Sequence, residues 1–292
     1  MKYHFLTATY NRHEQTFNSV NDIVEQMQLL QKDYRVVIIE AGDADLLRKK
    51  FGNEKYKKVE IISVTDQTFW TTAMSIGVSN LLNNSKSNDV FALFNNDIRV
   101  PSNTLSELIK YNYDSPIAVS PISISSNDNK SVSTGVKVLF WPLCIHKTEY
   151  INLTVDEANN LKNVEVEFMT QRFLWCGRHV IESVGNYRAD IFRHYAGDYE
   201  LTARMAKKGF KVILDPSIHI YIDESDTGLN SRYRSLNFFQ RVQSLFSIKS
   251  SSNLWIAIKF SFIVAPWWSQ PFNMVIMTLK AFVRAMILKP RK

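Results

Sequence analysis

The first part of the chain alternates between short apolar runs and longer segments with helical periodicity. The apolar runs have the length of strands buried on both faces, and they cover residues 3–8, 35–39, 59–64 and 90–94. Helices are predicted between them, over residues 13–30, 44–51 and 71–82. In the first of these, Phe17, Val20, Val24 and Met27 recur at helical spacing. Repeated strand–helix alternation with short connections predicts an α/β fold with a mostly parallel, doubly wound sheet.

Each predicted strand ends in a polar cluster, and ligands of parallel sheets bind outside the carboxyl ends of the strands. The clusters occupy residues 9–12, 40–43, 65–66 and 95–97. The last is Asn95-Asn96-Asp97, in which a carboxylate can hold a divalent metal and amides can hold sugar or ribose hydroxyls. The alternative is that Asp97 caps the next turn and the asparagines fill a bend. Four clusters at one edge favour a ligand site.

Glycine patterns that cradle phosphates do not occur in this sequence. No G-x-G-x-x-G follows the first strand, and no P-loop lysine motif is present. Phosphates at the predicted edge would therefore need a metal ion or basic side chains.

A second stretch of chemical interest begins a helix predicted over residues 198–208, with Gly209 after it and a strand over residues 211–214. Asp198 opens this helix. One hypothesis is that it caps the helix, a common role for aspartate. The other is that its side chain, which points out of the fold at such a position, takes part in chemistry.

Length and composition allow one large domain with an appendage, or two domains, since 292 residues with 45% hydrophobic content can bury a sizeable core. The two cysteines, Cys144 and Cys176, have no metal-binding spacing and indicate a reducing compartment. Cys176 is interpreted as a small core residue. The N-terminus is too short and too polar for a signal peptide.

The charge is distributed unevenly and predicts a boundary near residue 226. Ten of the 35 basic residues and none of the 28 acidic ones lie in residues 227–292. We therefore expect a domain over residues 1–226 and a basic, helical extension over 227–292. A tail both basic and apolar favours an anionic membrane surface and argues against nucleic acid. Its apolar segments, residues 255–264 and 274–288, are too short or interrupted to span a bilayer. Alternatively, these helices pack on the domain or form a homodimer.

The strand-end motifs, taken in order, resemble glycosyltransferase family 2, whose members are inverting enzymes of the GT-A fold. They are Thr-Tyr-Asn-Arg at residues 9–12, Glu40 followed by Gly42, and Asn-Asn-Asp at residues 95–97. Residues 69–77 resemble a segment of bacterial rhamnosyltransferase-like members, and the whole resemblance covers residues 3–225. It implies transfer of a sugar from a UDP- or dTDP-sugar to a lipid-linked or growing cell-surface glycan, with Mg²⁺ or Mn²⁺.

The resemblance also implies roles for individual residues. Thr9, Tyr10 and Arg12 would border the nucleotide, and Glu40 would accept a hydrogen bond from the base. Asn96 would face the ribose or the diphosphate, and Asp97 would hold the metal. Asp198 would act as the general base that deprotonates the acceptor hydroxyl. Residues 174–177, Leu-Trp-Cys-Gly, would form the turn that lies beneath the acceptor.

Two departures from the family pattern concern the metal. The usual Asp-any-Asp motif is replaced by a motif with one carboxylate, which predicts weaker metal binding and more coordination by the diphosphate. The metal-binding histidine often follows a proline by six residues, but six residues after Pro216 stands Ile222. His219, Asp223 or water could supply that ligand.

The sequence as a whole predicts a cytoplasmic glycosyltransferase that is peripheral to the inner face of the cell membrane. A sugar-phosphate nucleotidyltransferase would share the sheet, but it normally opens with a glycine-rich loop, which residues 7–12 lack. A non-enzymatic membrane adaptor would not need polar clusters at four strand ends.

Overall fold

The computed structural model of the chain describes residues 1–132, 134–222, 238–247, 250 and 253–287, which form a mixed α/β structure. Its strands are β1 (Tyr3–Thr9), β2 (Tyr34–Glu40), β3 (Val59–Ser63), β4 (Val90–Asn95), β5 (Ile98–Arg99), β6 (Ile117–Ser125), β7 (Gly135–Phe140), β8 (Ile145–Glu149), β9 (Val164–Glu165), β10 (Phe168–Met169), β11 (Phe173–Gly177) and β12 (Lys211–Ile222). Its α-helices are α1 (His13–Leu29), α2 (Ala44–Lys50), α3 (Trp70–Asn83), α4 (Thr104–Leu108), α5 (Val155–Asn159), α6 (Arg178–Val184), α7 (Gly197–Lys207), α8 (Phe238–Ser244), α9 (Leu254–Val264) and α10 (Gln270–Ile287). Short 3₁₀ turns cover Glu54–Tyr56 and Trp267–Ser269.

The N-terminal half of the sheet has the predicted parallel arrangement, in the order β3-β2-β1-β4. Successive side chains of β4 enter cores on opposite faces: Phe94 packs in the core that includes residues of α1, and Leu93 packs in the core that includes residues of α3. Covering both faces explains why this strand is an unbroken apolar run. The parallel arrangement places the carboxyl ends of these strands at one edge.

The remainder of the sheet is not as predicted. Among the described residues, nine strands form the main sheet, and β11 lies between β4 and β6, antiparallel to both. Strand β12 is parallel to β6, and the short strands β5 and β9 pair with it in antiparallel fashion. The expectation of a mostly parallel sheet is therefore wrong, and the sheet is mixed. An apolar run shows that a strand is buried but does not show its direction.

Residues 174–177 are also corrected by this topology. They belong to β11, in which Phe173 pairs with Phe94 and Gly177 pairs with Val90. Because Val90 begins β4, Gly177 lies at the edge of the sheet opposite the polar clusters. Strand β11 therefore runs away from the predicted acceptor position, and its first residues, not its last, lie at the ligand edge. Cys176 is fully buried in this strand, as expected for a core residue.

The C-terminal helices α9 and α10 pack against each other, α9 also packs against α7, and α10 contacts the loop between β7 and β8 through Asn273. Lys207 Nζ of α7 donates to the carbonyl of Ile263 at 2.6 Å. The Phe260 ring contacts Phe168, with ring centroids 5.6 Å apart. The structure therefore agrees with the alternative that these helices pack on the domain. No helix in the described ranges is long and apolar enough to span a membrane. The predicted boundary at residue 226 lies outside the described residues.

Candidate active site

The ends of β1, β2 and β4 bring three of the predicted polar clusters together. Thr9 pairs with Glu40 across β1 and β2, and Ala8 pairs with Asn95 across β1 and β4. The side chains that follow these strands therefore share one edge, as their positions in the sequence predict.

The buried side chain of Asn96 joins β1 and α1 at this edge through hydrogen bonds. Its Nδ2 donates to Thr9 Oγ1 and to Thr16 Oγ1, both at 3.0 Å, and Ser19 Oγ donates to the Asn96 carbonyl at 2.7 Å. Thr9, Thr16 and Asn96 are all buried. The amide of Asn96 and the hydroxyl of Thr9 are thus engaged with the protein. Thr16 and Ser19 were missed by sequence reasoning, because a polar residue on the inner face of a helix resembles one on its outer face.

Glu40 is fully buried at the end of β2, and its two oxygens have different surroundings. Oε1 accepts from the backbone N–H groups of Asn11 at 3.1 Å and Gly42 at 2.5 Å. Oε2 has no hydrogen-bond partner among the residues that the structure describes. A side chain at position 42 would clash, since a Cβ there would lie 2.1 Å from Asn11 Oδ1. Glu40 thus has one oxygen held by the loop and one that is buried without a hydrogen-bond partner in the described part of the chain.

Asp97 and Arg12 form an ion pair at the same edge, with Nη1 of Arg12 3.5 Å from Oδ2 of Asp97. Asp97 is only 9% exposed, whereas Tyr10 beside this loop is 56% exposed. Within the described part of the chain, no group of three or more His, Cys, Asp or Glu side chains could hold a metal ion. Asn95 Oδ1 is buried and lacks a hydrogen-bond partner there. This donor set fits a divalent cation that draws its other ligands from a bound diphosphate.

His219 is not brought to this group. In the antiparallel pairing of β12 with β5, Ile222 lies opposite Ile98. His219 is three residues earlier, about 10 Å along the strand and on the side away from Asp97. Thr104 Oγ1 donates to its carbonyl at 2.8 Å, and burial lowers the pKa of its imidazole. The other candidate for this ligand, Asp223, lies outside the described residues.

Asp198 is the second residue of α7, not its cap. The helix begins at Gly197, and the cap position belongs to Ala196, which has a left-handed φ of 67°. Asp198 Oδ1 accepts from the N–H of Tyr199 at 2.9 Å, and Oδ2 accepts from the N–H of Gln171 at 3.4 Å. Burial raises the pKa of the Asp198 carboxyl above its ordinary value of 3.8, and these N–H groups only partly oppose the increase.

The two residues just before β11 connect Asp198 to the edge that carries Asp97. The backbone N–H of Asn95 donates to the carbonyl of Arg172 at 3.0 Å, just before β11 begins. The preceding residue, Gln171, is the one whose N–H binds Asp198. The carboxylates of Asp97 and Asp198 therefore belong to segments that meet where β4 ends and β11 begins. Sequence reasoning missed Gln171 and Arg172, because neither lies in a predicted motif.

A cavity of about 520 Å³ lies on the β3 side of this edge. It is lined by Asp66, Gln67, Thr68, Phe69, Thr72 and Arg193. Asp66 was predicted as part of a strand-end cluster, whereas Arg193 comes from the segment before α7 and has no local signal. A cavity of similar volume that includes Tyr34 and four lysines lies at the start of β2, at the opposite edge of the sheet from the strand ends described above.

Comparison with known proteins supports the fold. No protein-family model matches the sequence, and no curated protein is similar to it in sequence. GalNAc-T7 with UDP, GalNAc and Mn²⁺ is similar in structure, with TM-score 0.58, 14% identity and coverage of 97% of this chain and 56% of that chain. The mannosyltransferase PcManGT from Pyrobaculum calidifontis with GDP-Man and Mn²⁺ gives 0.57 at 12% identity, covering 98% and 86%.

The structure of S. aureus TarS 1-349 is also similar, with TM-score 0.52, 12% identity and coverage of 98% of this chain and 81% of that chain. This chain spans little more than half of the GalNAc-T7 chain that it matches. At such identities the similarity concerns the fold alone. It confirms the expected GT-A fold.

Proposed function

We propose that this protein is an inverting glycosyltransferase that uses a nucleotide-diphosphate sugar. The observation that carries the proposal is that two carboxylates in different surroundings belong to segments that meet where β4 ends and β11 begins, in a GT-A fold. Asp97 follows β4 and lies beside Arg12. Asp198, whose pKa is raised, accepts from the N–H of Gln171 just before β11 begins. The three similar structures are glycosyltransferases, two of them with nucleotides and Mn²⁺, which supports this choice at the level of the fold.

The donor side of the site, as we define it, consists of the residues around the ends of β1, β2 and β4. There Glu40 Oε2 would accept an N–H from the nucleobase, and the exposed Tyr10 would border it. Arg12 would bind the diphosphate, because a guanidinium matches phosphate oxygens well. Asp97, with Asn95 beside it, would hold a divalent cation. When bound, that cation neutralises the negative charge of the departing diphosphate.

The acceptor side consists of Asp198 and the residues that contact it. Inversion requires the acceptor oxygen to attack the anomeric carbon from the face opposite the diphosphate, so a base is needed on that side. An oxygen of Asp198 would take the proton from the acceptor hydroxyl. A raised pKa makes this carboxylate a stronger base than an exposed aspartate.

For the finer identity of the substrates we retain the sequence-based hypotheses. The donor would be a UDP- or dTDP-sugar, with rhamnose or another hexose, and the acceptor would be a lipid-linked or growing cell-surface glycan. The enzyme would work in the cytoplasm at the inner face of the membrane.

A panel of nucleotide sugars tests the proposal. Purified protein is incubated with each donor and Mn²⁺ or Mg²⁺, and released nucleoside diphosphate is measured with and without candidate glycan acceptors. We expect metal-dependent release from one donor, stimulated by an acceptor, and loss of the stimulation in Asp198→Asn. In a separate incubation with nucleoside triphosphates and sugar 1-phosphates, formation of a nucleotide sugar and pyrophosphate would instead identify a nucleotidyltransferase.

A further inference from the structure

Helix α10 turns an apolar stripe away from the protein. Phe272, Val275, Leu279 and Phe282, at successive spacings of three, four and three residues, are all exposed. On the opposite side of the helix, Asn273 and Ala281 are buried. An amphipathic helix of a water-soluble domain normally does the reverse and packs its apolar side on the core. The exposed stripe therefore needs a partner in the working protein.

The hairpin formed by β7 and β8 lies against α10 and adds further exposed apolar side chains. Its tip is fixed to α10, because Cys144 Sγ donates to Asn273 Oδ1 at 2.5 Å and Lys280 Nζ donates to the carbonyl of Cys144 at 2.7 Å. Four large apolar side chains of the hairpin are exposed, namely Leu139, Phe140, Leu143 and Ile145. Two segments far apart in sequence thus carry exposed apolar side chains next to each other, and we call the exposed side chains of the α10 stripe and the hairpin together the apolar face.

The composition of the C-terminal part of the chain, together with its exposed tryptophans, points to one kind of partner. Residues 227–292 contain ten basic residues and no acidic ones. Lys280 brings a positive charge to the hairpin tip. Trp267 and Trp268, which immediately precede α10, are exposed. Exposed tryptophans next to an apolar stripe, in a segment whose only charged residues are basic, are characteristic of surfaces that lie in the headgroup region of anionic bilayers.

We propose that the apolar face docks on a bilayer that contains anionic lipid, with the hairpin of the GT-A body inserted beside α10. The membrane contact is then made jointly by the C-terminal extension and the catalytic domain. Strand β7 pairs with β10, and Thr170, just after β10, donates its N–H to the carbonyl of Thr134 at 2.8 Å. The next residue is Gln171, which binds Asp198. Docking would therefore fix the acceptor side near the lipid surface, an orientation that rests on the proposed function, whereas bilayer binding itself does not.

Co-sedimentation of the full chain with lipid vesicles tests whether the apolar face binds a bilayer, and it needs neither sugar donor nor acceptor. We expect binding to an equal mixture of phosphatidylcholine and phosphatidylglycerol, weaker binding to phosphatidylcholine alone, and further weakening by salt. Leu143→Glu in the hairpin and Leu279→Glu in α10 should each weaken binding about tenfold or more, because each replaces an exposed leucine that docking would bury in the bilayer with a charge. Leu46→Glu on α2 is the matched control, since Leu46 is 44% exposed, compared with 47% for Leu143 and 53% for Leu279.

Each outcome of this experiment has a defined meaning. Loss of binding in both test variants, with melting temperatures like that of Leu46→Glu, supports the proposal even if no sugar donor is ever found. Wild-type binding by Leu143→Glu and Leu279→Glu, or equal binding to neutral vesicles, overturns it. A dimer by light scattering that Leu279→Glu dissociates, without vesicle binding, would show that the face joins two copies of the chain.

Discussion

On the donor side of the site, polar side chains bind one another, whereas on the acceptor side a carboxylate is held by backbone N–H groups. Thr9, Thr16 and Asn96 form a buried network that joins β1, α1 and the turn after β4. Asp198 instead receives two N–H groups and has a raised pKa. The first arrangement fixes the relative positions of β1, α1 and the turn after β4. The second leaves the Asp198 carboxylate a stronger base than an exposed aspartate. Substitutions on the two sides should therefore have different consequences.

The largest expected effect is that of Asp198→Asn on transfer. Asparagine retains an oxygen that can accept from the Tyr199 N–H, but it cannot take a proton. We predict a loss of about 10²–10⁴ in kcat, the usual contribution of a general base, with little change in melting temperature. The check is sugar transfer at saturating donor together with thermal melting. Near-wild-type turnover by a folded Asp198→Asn protein would remove this residue from the mechanism.

Glu200, two residues further along α7, should behave in the opposite way. It is buried and accepts from Arg204 Nη2 at 2.8 Å, with Arg188 Nε 3.5 Å from its other oxygen. We expect Glu200→Gln to lower the free energy of unfolding by about 1.5–3 kcal/mol, because charge-assisted hydrogen bonds are lost. The folded fraction should keep its kcat. Denaturant unfolding and single-temperature kinetics measure the two quantities, and a stable but inactive variant would contradict this assignment.

Asn96→Ala tests the hydrogen-bond network on the donor side. It removes two hydrogen bonds to buried threonine hydroxyls, which should cost about 1–3 kcal/mol of stability. Asn95→Ala is the matched control, since Asn95 Oδ1 accepts no hydrogen bond within the described part of the chain. It should melt closer to wild type and require more Mn²⁺ for activity. Equal destabilisation by the two substitutions would mean that the network does not fix this edge.

The smallest effect concerns pH. Because the pKa of Asp198 is raised on folding, the folded state binds its proton more tightly than the unfolded state does. This group therefore contributes less stability as pH rises from 3.8 through the raised pKa. We predict that Asp198→Asn lacks this decrease and is at least as stable as wild type at neutral pH. Unfolding measured across acidic pH tests this, and an unchanged slope would argue against the raised pKa. In the wild type, kcat/KM should increase through the same pH range as Asp198 becomes deprotonated.

Patterns along the chain predicted much of the donor side and less of the acceptor side. The helix predicted over residues 13–30 is observed as His13–Leu29, and the run before Asn95 is a buried parallel strand. These features follow from local periodicity and from the rule that parallel strands end together. The direction of β11 and the contact of Gln171 with Asp198 depend on which strands become neighbours in space. The same limit explains why His219, chosen by its distance in sequence from a proline, lies away from Asp97.

In the proposed reaction, the two sides act together but bind different substrates. Calorimetric titration of the active nucleotide sugar into wild type, Asp97→Asn and Asp198→Asn, each with and without Mn²⁺, tests this most directly. We predict Mn²⁺-dependent donor binding in wild type and in Asp198→Asn, and binding at least tenfold weaker in Asp97→Asn, because the cation loses its carboxylate ligand. Donor binding by Asp97→Asn that equals wild type, or an equal loss in both variants, would contradict the division of this edge into a donor side and an acceptor side.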